Sequence, residues 1–450
     1  MKRFSIVMSA ALAATMWAGN ALAQFDFVSG GSVSEAVASG VVPVPAKAAK
    51  TAEKEWTVMV FVNSKNNLEI AGLYNVNEME KVGSTENMNV VVEMGRMAGQ
   101  TADGMDGGWT GSRRYFIQKD TDTNTINSPV VASVEKADMG DYKRVVDFVT
   151  WAKTKYPAKR YMLVIWNHGT GWMDPKKSEK GISFDDETGN YIRTPQIGLI
   201  LKEAGKVDIL AFDACLMQMA EVAYEVKDNA EVVVGSEETV PGMGYPYSLF
   251  LGAMAKSPNL STEETGAVMV EAFKMFYDAV KKGAQLSAIR TSKLDGLATR
   301  ITDFARLAEV VADTESLKAA RDGVIRYDCI GEQSDPNMTI SFYGDLAQFA
   351  WLATANSKKE GEQAAALKAS AAALQDYIDK ELVIYNRASL KNRVGRDLSE
   401  SRGFSVYLPP AETRIAQERL EGIFEGKYTD FAFDKLTGWH KFVTFLYGVK

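Results

Sequence analysis

The sequence is short of the residues that most often announce a site. Its 450 residues hold two cysteines and two histidines. None of the four (Cys215, Cys329, His168 and His440) stands at the close Cys/His spacings of a structural zinc centre, so no metal is expected on that ground. Whether Cys215 and Cys329 pair in an oxidising compartment stays open, because nothing in the sequence fixes their separation and a core of this size needs no staple. Positive charge is scarce too: 51 Lys and Arg stand against 58 Asp and Glu, a formal net charge of −7. Without a basic stripe to neutralise phosphates, nucleic acid is excluded as a partner. Long apolar runs are missing beyond the N-terminus. The strongest candidate, Val207 to Val226, is broken by Asp208, Asp213 and Glu221, so no stable membrane insertion is expected. No G-x-S-x-G elbow is present either. Ser236 in "VGSEET" follows a strand-like run but lacks the second glycine, which disfavours a serine hydrolase. No repeat of fixed period is visible.

What is present begins with an address. Lys2 and Arg3 precede a mostly apolar Phe4 to Trp17, and Ala21-Leu22-Ala23 before Gln24 reads as a small-x-small cleavage signal. Residues 1–23 are therefore expected to be a signal peptide and the protein to be exported, to the periplasm or beyond the cell. Residues 24–54, rich in Gly, Ser, Ala, Val and Pro without a sustained period, read as a linker or pro-segment.

From Trp56 the pattern turns regular. "WTVMVFVN", "MNVVVEMG", "RRYFIQKD", "RYMLVIWN", "VDILAFDA" and "EVVVGSE" are strand-like, most of them near-continuous apolar runs. Between them "LEIAGLYNVNEMEKVG", "YKRVVDFVTWAKTKYP" and "LMQMAEVAYEVKDN" keep helical spacing. Strands without polar alternation, separated by helices, predict an α/β fold with a mostly parallel sheet flanked by helices. Residues 55–290 are expected to form the catalytic core. Residues 291–450 read as helix-rich apart from a late "GFSVYLP", and either complete that sheet or cover it.

Parallel sheets place their chemistry at the carboxyl ends of strands. His168 follows "RYMLVIWN" and Cys215 follows "VDILAFDA", so two residues 47 apart (215 − 168) are expected on one edge. A thiolate that attacks and an imidazole that manages protons need that proximity. Cys215 is expected to begin a helix, because Leu216, Met219, Ala220, Ala223 and Val226 keep helical spacing, and the dipole and free N–H groups at that N-terminus favour its anion. Gly169 leaves backbone room, and its N–H with that of Cys215 offers a cradle for a developing oxyanion. Taken singly, either residue is as well explained by packing; the pair at equivalent topological sites is not. Asp213, two residues before Cys215, either lines a pocket for a basic side chain or caps the next helix.

"NHGTGW" and "FDACLMQMAEVAYE" resemble the two signature blocks of the clostripain family of cysteine peptidases. "GSEETVPGMGYPY" and the closing "GFSVYLP…YTDFAFDKLTGWHKFV" are similar to further family segments. The resemblance runs from about Trp56 to the C-terminus and implies a caspase-like fold. It also implies a Cys215 nucleophile that forms a thioester acyl-enzyme, His168 as its proton-handling partner, protein or peptide substrates, and preference for Arg or Lys before the cut. One position departs: Met243 in "PGMGYPY" stands where basic-specific relatives often carry an acidic residue, and Glu237 or Glu238 after "EVVVG" would have to compensate. The polar "MDPKKSEKGISFDDETGNY" is either a charged hairpin turning at "DETGN" or a site of self-cleavage after Lys177 or Lys180, since the family matures by internal cleavage. Some clostripain-like enzymes use calcium, yet the run Asp185, Asp186, Glu187 lacks EF-hand spacing, so no cofactor is expected. Trp166 and Trp172 flank the histidine as packing or as a subsite wall, while Cys329 and His440 read as bystanders. The alternative from another class is a catalytically inactive module of the same fold that holds a peptide or surface partner. Oligomeric state is not legible.

Overall fold

The computed structural model describes residues 53–100, 104–175, 182–327, 342–392, 394–409, 424–425 and 428–448. The leader, the 24–52 segment, Lys177, Lys180 and Cys329 lie outside the described residues.

Nine strands form the main sheet: β1 (Lys54–Asn63), β2 (Met88–Arg96), β3 (Gly111–Phe116), β4 (Val130–Val134), β5 (Ala158–Trp166), β6 (Val207–Asp213), β7 (Ala230–Gly235), β8 (Ala284–Arg290) and β9 (Val383–Ser389). Their spatial order is β9-β8-β7-β6-β5-β1-β2-β3-β4. The inner five, β2, β1, β5, β6 and β7, run parallel, and two antiparallel strands close each side. The chain therefore has the expected α/β architecture with a mostly parallel sheet.

Side-chain alternation divides the apolar runs between two cores. Met59, Phe61, Leu163, Ile165, Leu210, Phe212 and Val233 face one layer. Val58, Val60, Val62, Met162, Val164, Trp166, Ile209, Ala211, Val232 and Val234 face the other. Helices Glu69–Glu80, Tyr247–Lys256 and Thr262–Ala279 cover the second face. On the first face lie Tyr142–Lys155 and Thr194–Ala204, joined by helices of the C-terminal half, Leu294–Val311, Leu346–Ala355 and Glu362–Tyr377. From that half, β9 lies at the edge of the main sheet and the helices cover one of its faces. Ser405–Tyr407, from the late "GFSVYLP", pairs instead with Tyr343–Asp345 in a separate three-stranded sheet. Among the described residues no helix is long and apolar enough to cross a membrane.

Candidate active site

Three adjacent parallel strands, β6, β5 and β1, end together on one edge. Val62 pairs with Trp166, and Trp166 with Asp213, so the chain leaves all three strands at the same level. The ladder runs one step further through Asn167 N–H to the Asp213 carbonyl at 3.2 Å, and His168 follows. Gly169 lies directly against the cysteine turn: a Cβ there would stand 2.3 Å from the Cys215 carbonyl oxygen and 3.2 Å from its nitrogen. Only glycine permits that approach. The backbone of the histidine segment and the backbone of Cys215 are thus neighbours, as the sheet-edge argument requires.

The local structure at Cys215 corrects one expectation. The residue does not open a helix, because the helix that follows spans Ala220–Val226 and starts five residues later. Residues 214–219 form an irregular turn, with Leu216 in the left-handed region at φ 63°, a costly conformation for a branched side chain. That turn is tied to the neighbouring segment by Leu216 N–H to the Glu238 carbonyl (3.2 Å) and Gln218 N–H to the Ser236 carbonyl (3.0 Å). The helix dipole is consequently too remote to act on the sulfur, since it fades within a turn. Val240 N–H takes that place, donating to Cys215 Sγ at 3.3 Å. The carbonyl of the same residue also faces the sulfur, with Cys215 Sγ 3.9 Å from Val240 O, so Val240 both donates to the sulfur and accepts from the thiol.

His168 Nε2 lies 2.7 Å from Asn67 Oδ1. Asn67 belongs to the loop after β1, and sequence reasoning passed over it, although "VNSKNN" ends a strand on the same edge as the other two.

Asp213 is 4% exposed and lies on the face of Trp166, Tyr245 and Tyr247. Its Oδ2 accepts from Tyr245 N–H at 3.0 Å and from the Tyr247 hydroxyl at 3.1 Å. Burial pushes its carboxyl up to about 7; the two donors oppose that shift and the nearby Glu78 carboxylate adds to it. Because β6 ends at Asp213, strand alternation does not extend to Cys215. Nor does Asp213 cap the next helix, whose N-cap is Met219. Gly244, at φ 66°, passes so close that a Cβ would meet Asp213 Oδ2 at 2.8 Å. The half-buried Met243 offers its carbonyl to Asn75 Nδ2 (3.1 Å), and Asn75 Oδ1 accepts from Trp166 Nε1 (2.9 Å). Glu78 accepts from Tyr247 N–H and Ser248 Oγ. Asn75, Glu78, Tyr245 and Tyr247 were not singled out from sequence; they lie on one helix, a loop and the start of a second helix that only folding brings to Asp213.

Glu237 and Glu238 are not at a solvated strand end. Both are 0% exposed. Glu237 Oε2 accepts from Gly403 N–H at 2.9 Å, and Glu238 Oε2 from Asn392 Nδ2 at 2.8 Å, so the C-terminal half covers them. The structure does not bring Glu237 to Asp213. Burial, with the negative Asp345 nearby, holds the Glu237 carboxyl well above the usual range. Trp166 and Trp172 are buried, the latter among the rings of Tyr407, Tyr428 and Phe431. His440 has a partner that its spacing hid: Nδ1 lies 2.6 Å from Asp434 Oδ2 across the turn at Gly438. The segment after the undescribed 176–181 is a hairpin, Ile182–Asp185 against Asn190–Ile192. Its acidic run is engaged by the buried Lys65, which pairs with Asp185 at 3.6 Å and with Glu187. Among the described residues no group of three or more His, Cys, Asp or Glu could hold a metal ion.

A parallel sheet flanked by helices, with a histidine and a cysteine leaving neighbouring strands at their carboxyl ends, defines a caspase-like α/β protein. The clostripain family model matches residues 60–444, and the chain belongs to that family. It is 30% identical over 229 residues to clostripain of Hathewaya histolytica, a match covering 45% of this chain and 43% of that protein, so it aligns with less than half of the relative's length. Two solved structures share its fold. One is a secreted C11 cysteine protease from Bacteroides thetaiotaomicron in complex with an irreversible peptide inhibitor (TM-score 0.61, 23% identity, 86% of this chain and 99% of that one). The other is an inactive zymogen C11 protease from Parabacteroides distasonis (TM-score 0.61, 20% identity, with the same coverage of 86% and 99%).

Proposed function

We propose that the chain is an exported cysteine endopeptidase that cuts peptide bonds after Arg or Lys through a Cys215/His168 dyad. The observation that carries this reading is the convergence of the two segments at the ends of β5 and β6, with Gly169 against the Cys215 backbone. The Cys215 thiolate, with Val240 N–H directed at its sulfur, attacks the scissile carbonyl carbon. The N–H groups of Gly169 and Cys215 receive the negative charge that builds on the carbonyl oxygen. His168 gives the thiol proton to the leaving amine as the C–N bond breaks, which leaves a thioester. Water, deprotonated by the same imidazole, then attacks the thioester and releases the acid and the thiol.

Asp213 supports the preference for a basic residue. It is a buried carboxyl beside the cysteine turn, and an entering guanidinium or ammonium would favour its ionised form. With Met243 apolar and Glu237 covered, Asp213 carries that recognition without a second carboxylate from either position. Cleavage after Lys177 or Lys180 would convert a single chain to a two-chain form, and the leader at residues 1–23 supports export. Hydrolysis of short Arg and Lys amides, with Cys215→Ala as control, tests the reading: turnover that survives the substitution refutes the dyad, and no turnover by the intact or trypsin-nicked wild type refutes the peptidase.

A further inference from the structure

The loop after β1 is built in an unusual way. Asn63 Oδ1 accepts from Lys65 N–H (3.1 Å) and Asn66 Oδ1 from Leu68 N–H (3.0 Å), so two side-chain turns fix consecutive stretches of backbone. The Ser64 hydroxyl donates to the Gly95 carbonyl at 2.6 Å. Asn63 Nδ2 and Asn66 Nδ2 both donate to the Phe184 carbonyl, at 2.9 and 2.8 Å. Lys65, wholly buried, donates to the Ala137 carbonyl at 2.5 Å and pairs with Asp185. Asn63, Ser64, Lys65 and Asn66 are therefore all buried and engaged in holding the backbone, whereas Asn67 is exposed and faces His168. The histidine is held from its own side as well: Asn167 Nδ2 donates to the Asn63 carbonyl (2.6 Å) and its Oδ1 accepts from Phe184 N–H (2.8 Å). The two loops are thus fastened to each other through buried amides, and the one outward amide between them meets the imidazole.

We propose that Asn67 is a positioning residue for His168: its Oδ1 accepts the Nε2 proton, fixes the ring plane, and leaves the lone pair of the neutral imidazole on Nδ1 to exchange the proton of the Cys215 thiol. The assignment rests on the peptidase reading above and adds a third member, from the loop after β1, to the pair that follows β5 and β6. A carboxamide oxygen suits the task because it accepts without charge, so it selects the tautomer while leaving the imidazolium readily deprotonated. The covalent chemistry is unchanged; Asn67 neither gains nor loses a proton.

Asn67 is exposed, so its replacement leaves the core intact and the variants fold. Two measurements test the proposal. In steady-state hydrolysis of an Arg amide, Asn67→Ala lowers kcat by roughly 10- to 100-fold while KM stays within about twofold. In 15N histidine spectra, assigned with His440→Gln because the chain has only two histidines, neutral His168 is the Nε2–H tautomer in the wild type and a mixture in Asn67→Ala. Asn67→Asp restores the single tautomer and moves the His168 titration to higher pH, because a carboxylate then faces the ring. A raised KM with unchanged kcat would make Asn67 a substrate contact and overturn the proposal. So would unchanged kinetics, or an Nδ1–H tautomer in the wild type. If the wild type shows no Cys215-dependent hydrolysis, the peptidase reading fails, and the spectra still decide whether Asn67 sets the tautomer.

Discussion

Strands β6 and β7 are neighbours in one parallel sheet and end on the same edge, yet their exits meet opposite fates. After β6 the chain turns at once through a left-handed Leu216 and leaves Cys215 half-buried beside Val240. After β7 it carries Glu237 and Glu238 under the C-terminal half, where Gly403 and Asn392 meet them. The carboxyl-edge rule selects both exits as candidates; what packs above the edge decides which side chains stay reachable. Asp213 and Glu237 make a related contrast between carboxyls: both are raised by burial, but Asp213 is met by Tyr245 and Tyr247 while Glu237 is met by Gly403 of the C-terminal half.

The comparison breaks most sharply at the sulfur. Cys215→Ala is expected to lower turnover of an Arg amide by on the order of 10³-fold or more, whereas Glu237→Gln leaves it within about twofold. Equal losses in the two variants would mean that the Glu237 carboxyl, and not only the backbone of the β7 exit, belongs to the site. Next in size is Gly169→Ala. The added methyl meets the Cys215 carbonyl at 2.3 Å, and neither strand end can retreat without losing the Asn167–Asp213 ladder bond. A drop in kcat on the order of 10²-fold, with a lower Tm in calorimetry, is the expected result.

Asp213→Asn keeps a hydrogen-bond acceptor for Tyr245 and Tyr247 but removes the charge. The ratio of kcat/KM for an Arg substrate to that for its Gln analogue should fall by roughly tenfold or more. In the wild type this ratio should rise with pH through about 7, because below that value the carboxyl is protonated and the pocket neutral. A ratio that stays flat with pH, or a pH dependence that persists in the variant, assigns the preference elsewhere.

The smallest effect concerns stability. Glu237 has a folded-state pKa raised above its unfolded value, so the folded protein binds that proton more tightly. Its stabilisation is complete below the unfolded glutamate range and is lost as pH rises through the raised value. Glu237→Gln should therefore flatten the fall of Tm between acidic and neutral pH and raise Tm at pH 8, with substrate preference unchanged. A variant less stable than wild type at pH 8 would show that Glu237 is held ionised by its surroundings.

Much of this was legible from the chain because apolar runs and their spacing report directly on the sheet. The inner strands, their flanking helices, and the placing of His168 and Cys215 at strand ends follow from periodicity and the parallel-sheet rule. The start of the helix after Cys215 was not legible: the left-handed turn falls on a leucine, with no glycine to signal it. Asn67 was missed for a different reason, since a polar run after a strand reads as an ordinary loop until its partners are in place. The depth of Glu237 depends on Gly403, 166 residues away, which no local pattern encodes.

By itself the sequence settled the α/β class, the strand ends that carry histidine and cysteine, and membership of a family whose signature blocks it spells out. Those are local properties, written in side-chain alternation and short motifs. Tertiary structure alone decided which edge residues stay reachable, which donors meet the Asp213 carboxyl, and which amide faces the imidazole. Each of these depends on contacts between segments far apart along the chain, and burial and hydrogen-bond geometry exist only once those segments have packed.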